Sequence, residues 1–275
     1  MNDKDKRLRV QNLLKLWGAD IICFQETKLD LVTKGMVRSL WGLQYLDWLY
    51  CGLNGASGGI LLMWDTRVVE KIEDAMGNFS VSCKFKSVLT QHEWVFSRVY
   101  GPQTDRERMW MWGELAGLYS WWGSPWCIGG DFNVVKFPLE RSGGHHISTA
   151  MQGFSDFIST LGLIDPLLEG GNITWSNNRE VENRSHLDRF LFSHDWEDSF
   201  PSITKRRLPR LLSDHFPIML ECGQLQKCNR PFCFENMWFK AKGFMNHVRR
   251  WWDLYHFDSS PNYILANKLK ASKLI

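Results

Sequence analysis

The chain has 275 residues, 44% of them hydrophobic and 23% charged, which suits one large globular domain or two small ones. No run approaches the ~20 apolar residues of a membrane span, and the charged start Met1-Asn2-Asp3-Lys4-Asp5-Lys6-Arg7 has no apolar signal core, so neither a membrane helix nor a secretory signal is expected. A formal charge of +3 permits a nucleic-acid partner without requiring one. The seven cysteines follow no disulfide framework, and Cys222, Cys228 and Cys233 with His247 fit no common zinc spacing. Free thiols in a reduced, intracellular setting are expected. The fifteen tryptophans read as packing.

Lys6 to Trp17 carries Leu8, Leu13, Leu14 and Trp17 on one side and stops at Gly18, which predicts an amphipathic helix. The apolar run Ile21-Ile22-Cys23-Phe24, within Ala19 to Gln25, predicts a strand covered on both faces. Glu26-Thr27 lies at its C-terminal end, where an open α/β sheet keeps its polar chemistry. Five strand-like segments follow: Tyr45 to Tyr50, Gly59 to Trp64, Val68 to Ile72, Phe79 to Phe85 and Glu93 to Tyr100. Turn signals such as Asn54-Gly55-Ala56-Ser57-Gly58 and Asp65-Thr66 part them, and Gly101-Pro102 leaves Tyr100 at the tip of the last. Asp105 to Trp122 predicts a helix, and Trp126 to Ile128 a buried strand ending at the glycine pair 129–130. Phe137 to His146 is expected as a loop offering Arg141, His145 and His146 to solvent or substrate. Ser148 to Leu161 has helical periodicity with Ser148 as its cap. Ile173 to Ser176 and His186 to Phe192 predict two more strands, and Ser213-Asp214-His215 opens a last one, Phe216 to Leu220. Beyond Cys222 the chain turns basic and aromatic and reads as a tail, so residues 1–222 are expected to form the domain and 223–275 a linker.

The stretch Gly129-Gly130-Asp131-Phe132-Asn133 is the chemical centre of this pattern. Alternating side chains put Asp131 and Asn133 on one face, a carboxylate that can hold a metal or polarise water beside an amide that can donate to a phosphate. Taken singly, the string also reads as a turn with an Asx hydrogen bond. Glu26 could equally be a capping acid, Asp188 a partner of Arg189 or Arg207, and His215 a satisfied half-buried histidine. The basic run Lys205-Arg206-Arg207, with Arg210, is either a solvated face or a track for DNA phosphates.

Together, Gln25-Glu26-Thr27, Tyr100 before a turn, Gly130-Asp131-Phe132-Asn133, Leu187-Asp188-Arg189 and Ser213-Asp214-His215 resemble, in order, the endonuclease/exonuclease/phosphatase superfamily. The wording of Ile22 to Lys28, Thr174-Trp175-Ser176-Asn177 and Leu187 to Leu191 is most similar to endonuclease domains of plant LINE-type (non-LTR) retrotransposons. The resemblance implies a four-layer α/β sandwich of two facing mixed sheets with outer helices, and a Mg²⁺- or Mn²⁺-dependent endonuclease that nicks DNA to leave a 3′-hydroxyl. It implies Glu26 and Asp214 at the metal, and Asp131 orienting or deprotonating the attacking water. Asn133 and Tyr100 would sit at the phosphate, and His215, held and kept protonated by Asp188, would face the developing phosphorane. Thr174, Ser213 and Arg207 would contact substrate. DNA is the implied partner, in the nucleus, with no membrane and no obligate protein partner.

The family opens with a strand ending in an Asn that helps bind metal and phosphate, whereas this sequence starts at the following loop, so that role is not carried onto Asn2. The expectation is a sheet short of one inner strand, with neighbouring strand edges exposed. A catalytically impaired retroelement remnant that at most binds nucleic acid, and a phosphatase or lipid phosphodiesterase of the same superfamily, are the rival expectations.

Overall fold

The computed structural model describes residues 4–27, 32–52, 59–177, 182–200, 202–210 and 213–223, together with 246, 249 and 250. The chain divides into two compact units, Met1–Gln226 and Lys227–Ile275, and the described elements all lie in the first. Asn2, the turn at 54–58, the trio's Cys228 and Cys233 with His247, and nearly all of the tail pattern lie outside the described residues.

The order is α1 (Lys4–Trp17), β1 (Ile21–Phe24), α2 (Lys34–Trp41), β2 (Leu46–Cys51), β3 (Ile60–Asp65), β4 (Val69–Met76), β5 (Ser80–Ser87) and β6 (Glu93–Tyr100). Then come α3 (Asp105–Trp122), β7 (Trp126–Asp131), α4 (Thr149–Thr160), β8 (Leu168–Glu169), β9 (Trp175–Ser176) and β10 (Arg184–Ser185). The series closes with β11 (Asp188–Phe192), α5 (His194–Ser199), β12 (Ile203–Arg207) and β13 (Ile218–Cys222).

The main sheet runs β11-β7-β6-β5-β4, mixed because β6 and β7 are parallel across the α3 crossover and the other pairs are antiparallel. Its strands alternate between two cores, as a pleat requires. Val95, Val99, Trp126, Ile128 and Leu191 pack with Met111 and Leu115 of α3 and Phe154, Phe157 and Ile158 of α4. On the other face Phe85, Trp94, Cys127 and Phe192 pack with Leu62 and Trp64 of β3 and, from β13, Leu220 and Cys222. The facing layer holds two sheets of three strands, β1-β3-β2 and β13-β12-β8. The reverse face of β3, Leu61 and Met63, meets Val10 and Leu14 of α1 and Val37, Leu40 and Trp41 of α2. Helix, sheet, sheet and helix give the four-layer α/β sandwich. Among the described residues β1 and β13 each have one strand partner, so both end their sheets.

Some local expectations change. β7 does not stop at its glycines but runs through them to Asp131, all six residues buried. A Cβ on Gly129 would press into the rings of Phe190 and Phe96, and one on Gly130 would strike the Val99 carbonyl, so the pair admits close neighbours within the strand. The basic run is split by strand β12: Lys205 is buried on Asp165 at 2.9 Å, whereas Arg206 is exposed and pairs with Glu169 and Glu221. α2 was not anticipated, although Thr33 caps it and Gly42 ends it in the left-handed region at φ 75°. The 137–146 loop contains a 3-10 turn, Pro138–Glu140. Cys23, Cys51, Cys83, Cys127 and Cys222 are free thiols, as expected. No helix among the described residues is long and apolar enough to cross a membrane.

Candidate active site

Strand register assembles the site. Tyr100 on β6 is opposite Asp131 on β7, and Asp131 is opposite Asp188 on β11, so three residues far apart in sequence share one row and one face. Each ends or begins its strand, where the sheet gives way to loops. Two contacts extend the row. The Tyr100 hydroxyl donates to Glu26 Oε1 at 2.8 Å, and Asp188 Oδ2 lies 2.8 Å from His215 Nδ1. The result is a line Glu26–Tyr100–Asp131–Asp188–His215 across the strand ends.

The backbone is bent to make it. Glu26 and Asn133 are two of the three non-glycine residues with positive φ among the described residues, at 48° and 52°. Left-handed backbone is uncommon for such side chains and costs free energy, so surrounding contacts must impose it. At Glu26 these are the buried Thr27, whose amide and hydroxyl both donate to the Gly59 carbonyl, and Gln25 Nε2 donating to Val99 O at 2.8 Å. At Asn133 the amide donates to Asp131 Oδ1 at 2.8 Å, Nδ2 donates to Gly101 O at 3.3 Å, and Arg108 holds the Asn133 carbonyl. The Asx contact and a phosphate-facing amide are therefore compatible, since the second Nδ2 proton stays free of Gly101.

The electrostatics separate the roles. Asp131 is buried, and burial together with the Asp188 charge pushes its carboxyl up to about 6. Burial also opposes protonation of His215, but the Asp188 hydrogen bond and the charges of Asp188, Asp131 and Asp214 overcome it and raise the imidazole to about 9. At neutral pH the row therefore offers an ionised base of raised affinity next to an imidazolium.

The remaining expected residues divide. Ser213 accepts from the His215 amide and donates to Asp214 Oδ1, and so shapes the turn that carries the histidine. Asp214 also accepts from Trp175 Nε1 at 2.9 Å. Thr174 is fully buried, and its hydroxyl accepts from the amides of Leu187 and Asp188, both at 2.9 Å. It fixes the start of β11 rather than facing the cleft. Arg207 is half-buried, donates to Ile173 O and stacks 4.4 Å from the Phe216 ring. Sequence reasoning did not pick out Gln25 and Arg108, which set the two strained turns, or Arg98, whose charge lowers the Asp131 carboxyl against the larger effect of burial. Arg98 was within reach: it lies two residues before Tyr100 on β6, on the same face.

A divalent cation can be tested against these residues. The described residues hold no group of three or more acidic, histidine or cysteine side chains arranged as a metal cage. Glu26 is exposed, with one oxygen engaged by Tyr100. That donor fits Mg²⁺ or Mn²⁺ held by one or two carboxylates, water and a substrate phosphate, the usual manner for Mg²⁺, and does not fit a closed all-protein site.

Comparison with known proteins agrees with the architecture. The sequence pattern described as the Endonuclease/Exonuclease/phosphatase family matches residues 1–215. The endonuclease domain of TRAS1, a telomere-specific non-LTR retrotransposon, superposes with a TM-score of 0.57 at 15% identity, covering 81% of this chain and 96% of that one. The mannosyl-6-phosphatase Bt3783 of Bacteroides thetaiotaomicron gives 0.56 at 18% identity over 79% of this chain and 90% of its own. The human Nocturnin catalytic domain gives 0.52 at 15% identity over 80% and 88%. At such identities the likeness is one of fold. No curated protein sequence matches. The matched pattern spans most of the chain and includes every element of the row from Glu26 to His215, and the protein belongs to the endonuclease/exonuclease/phosphatase family.

Proposed function

We propose that the chain is a metal-dependent phosphodiesterase that nicks DNA, of the kind carried by plant LINE-type retrotransposons. The observation that carries the reading is the single row in which a buried carboxylate of raised pKa, Asp131, lies between a Tyr-held glutamate and an Asp-held imidazolium. Asp131 accepts the proton of a water aimed at phosphorus. The water oxygen bonds to phosphorus while the bond to the 3′ oxygen breaks, and the 3′ oxygen leaves with the electron pair and takes a proton from solvent to become the 3′-hydroxyl. Asn133 Nδ2 donates to a non-bridging oxygen without adding charge. His215, kept cationic by Asp188, faces the charge that builds on the phosphorane, where a fixed donor stabilises the transition state more than the ground state. A Mg²⁺ ion on Glu26 would supply Lewis-acid neutralisation of the phosphate. Tyr100 orients Glu26 and, through it, that donor oxygen.

The motif wording in the sequence supports a nucleic-acid substrate over a sugar phosphate or a lipid. The deciding experiment offers the purified chain supercoiled plasmid, a sugar phosphate and sphingomyelin with Mg²⁺. Nicking of plasmid is expected; hydrolysis of only the small or lipid substrates would overturn the reading.

A further inference from the structure

A second row of residues starts where the first ends. His215 is bridged to Trp175 of β9, Trp175 is opposite Ser185 of β10, and Ser185 is bridged to Arg141, every pairing antiparallel. Directly opposite residues of an antiparallel ladder project to the same face, so His215, Trp175, Ser185 and Arg141 stand in one lateral file. Three strand spacings of about 4.8 Å put the Arg141 backbone about 14 Å from that of His215.

Arg141 is exposed, and its guanidinium has no partner among the described residues, whereas its main chain is held firmly. The Ser142 amide donates to Arg184 O, Ser142 Oγ accepts from the Arg184 amide, and the His186 amide donates to Glu140 O. Nearby acids do not quench it. Glu140 turns inward to buried Arg189 and to the amides of Lys136 and Phe137, and Glu182 is taken by Arg184 and Ser176. His145 and His146, also exposed, follow in the same loop.

We infer that Arg141 is a phosphate contact for a nucleic-acid strand lying along the file from His215. The inference rests on the nuclease reading and adds to it a strand contact remote from the phosphate that is cleaved. A ligand that meets both ends must present two phosphates separated by a distance on the order of the ~14 Å between the two backbones, and a DNA strand, with a phosphate on every nucleotide, supplies such a pair. A sugar phosphate cannot.

The test is binding of a short labelled duplex by fluorescence anisotropy in EDTA, which removes turnover, over a range of salt concentrations. Losing one phosphate contact lowers the slope of log K against log salt by about 0.9, which is about an eightfold weaker affinity near 0.1 M salt. Arg141→Gln is expected to show that change with an unaltered melting temperature, and Arg141→Lys to keep the wild-type slope. A wild type that nicks plasmid while Arg141→Gln leaves the slope unchanged would sink this inference and leave the nuclease reading standing. A wild type that neither binds the duplex nor nicks would sink the nuclease reading and this inference with it.

Discussion

Behind the catalytic row, on the residue after Asp188, sits a buried ion network whose loss has a calculable size. Asp165 accepts from Arg189 Nη1 at 2.6 Å and from Lys205 Nζ at 2.9 Å, Lys136 lies 4.0 Å away, and Arg189 also pairs with Glu140. Burial works against ionisation of Asp165, but the charges of Arg189, Lys205 and Lys136 outweigh it and hold its carboxyl below the usual range. Asp165→Asn keeps the shape and removes the charge. Arg189 retains Glu140, but Lys205, whose side chain is 0% exposed, loses its ion-pair partner.

A buried unpaired charge costs about 3–5 kcal/mol. The lysine has one escape, which sets a ceiling: it can shed its proton. From an ordinary pKa of 10.5, staying neutral at pH 7 costs about 5 kcal/mol at ~1.36 kcal/mol per unit, and at pH 9 only about 2 kcal/mol. Urea denaturation followed by tryptophan fluorescence should therefore show Asp165→Asn destabilised by about 4 kcal/mol at pH 7 and by about half that at pH 9. A loss below about 1 kcal/mol, or one that does not shrink with pH, would refute the buried-charge account. Replacing Asp165 and Lys205 together by Leu and Met should recover most of the loss, because it removes both charges.

Other outcomes follow from the same geometry. In metal-free protein, NMR titration should place the His215 imidazole near 9, and Asp188→Asn should lower it, since burial then acts with less opposition. An unchanged titration would remove Asp188 from its role. Because the folded value is raised, the His215–Asp188 pair stabilises the fold fully below pH 6.5 and less as pH rises through about 9, which urea midpoints across that window will register. Buried His186 works the other way: burial, with the charges of Arg189 and Lys205, lowers it to about 3. The unfolded chain takes up its proton first, so stability should fall as pH drops from 6.5 towards 3, and His186→Gln should flatten that acid limb. Thr174→Val strands the amides of Leu187 and Asp188, at about 1–3 kcal/mol each, and should lower the urea midpoint. Tyr100→Phe frees Glu26 and should raise the Mg²⁺ concentration needed for half-maximal nicking about tenfold or more.

The parts of this site that could be read from the sequence are those written locally. Glu26, Tyr100, Asp131 and Asp188 each sit where an apolar run ends or begins, so alternation and the punctuating Gly-Pro or Thr located them without coordinates. Register could not be read that way. That Tyr100, Asp131 and Asp188 occupy one row depends on two strand pairings, and the file from His215 to Arg141 depends on three more across a short hairpin. β12 was missed because its buried residue is a lysine, and the carboxylate that it donates to, Asp165, is 40 positions away. Likewise Thr174 reads as a polar strand residue near the cleft, and only the fold reveals that its hydroxyl is consumed by two amides. α2 was legible in hindsight: Thr33 and Gly42 bracket Val37, Leu40 and Trp41 at helical spacing.

The measurement that tests the central claim most directly is nicking of supercoiled plasmid by the purified chain, with Mg²⁺ and with EDTA, beside Asp131→Ala. The account predicts relaxed, nicked circles that appear only with the cation and only from the chain that keeps Asp131. A folded protein that leaves the plasmid supercoiled, or a variant that nicks as fast as the wild type, would contradict it.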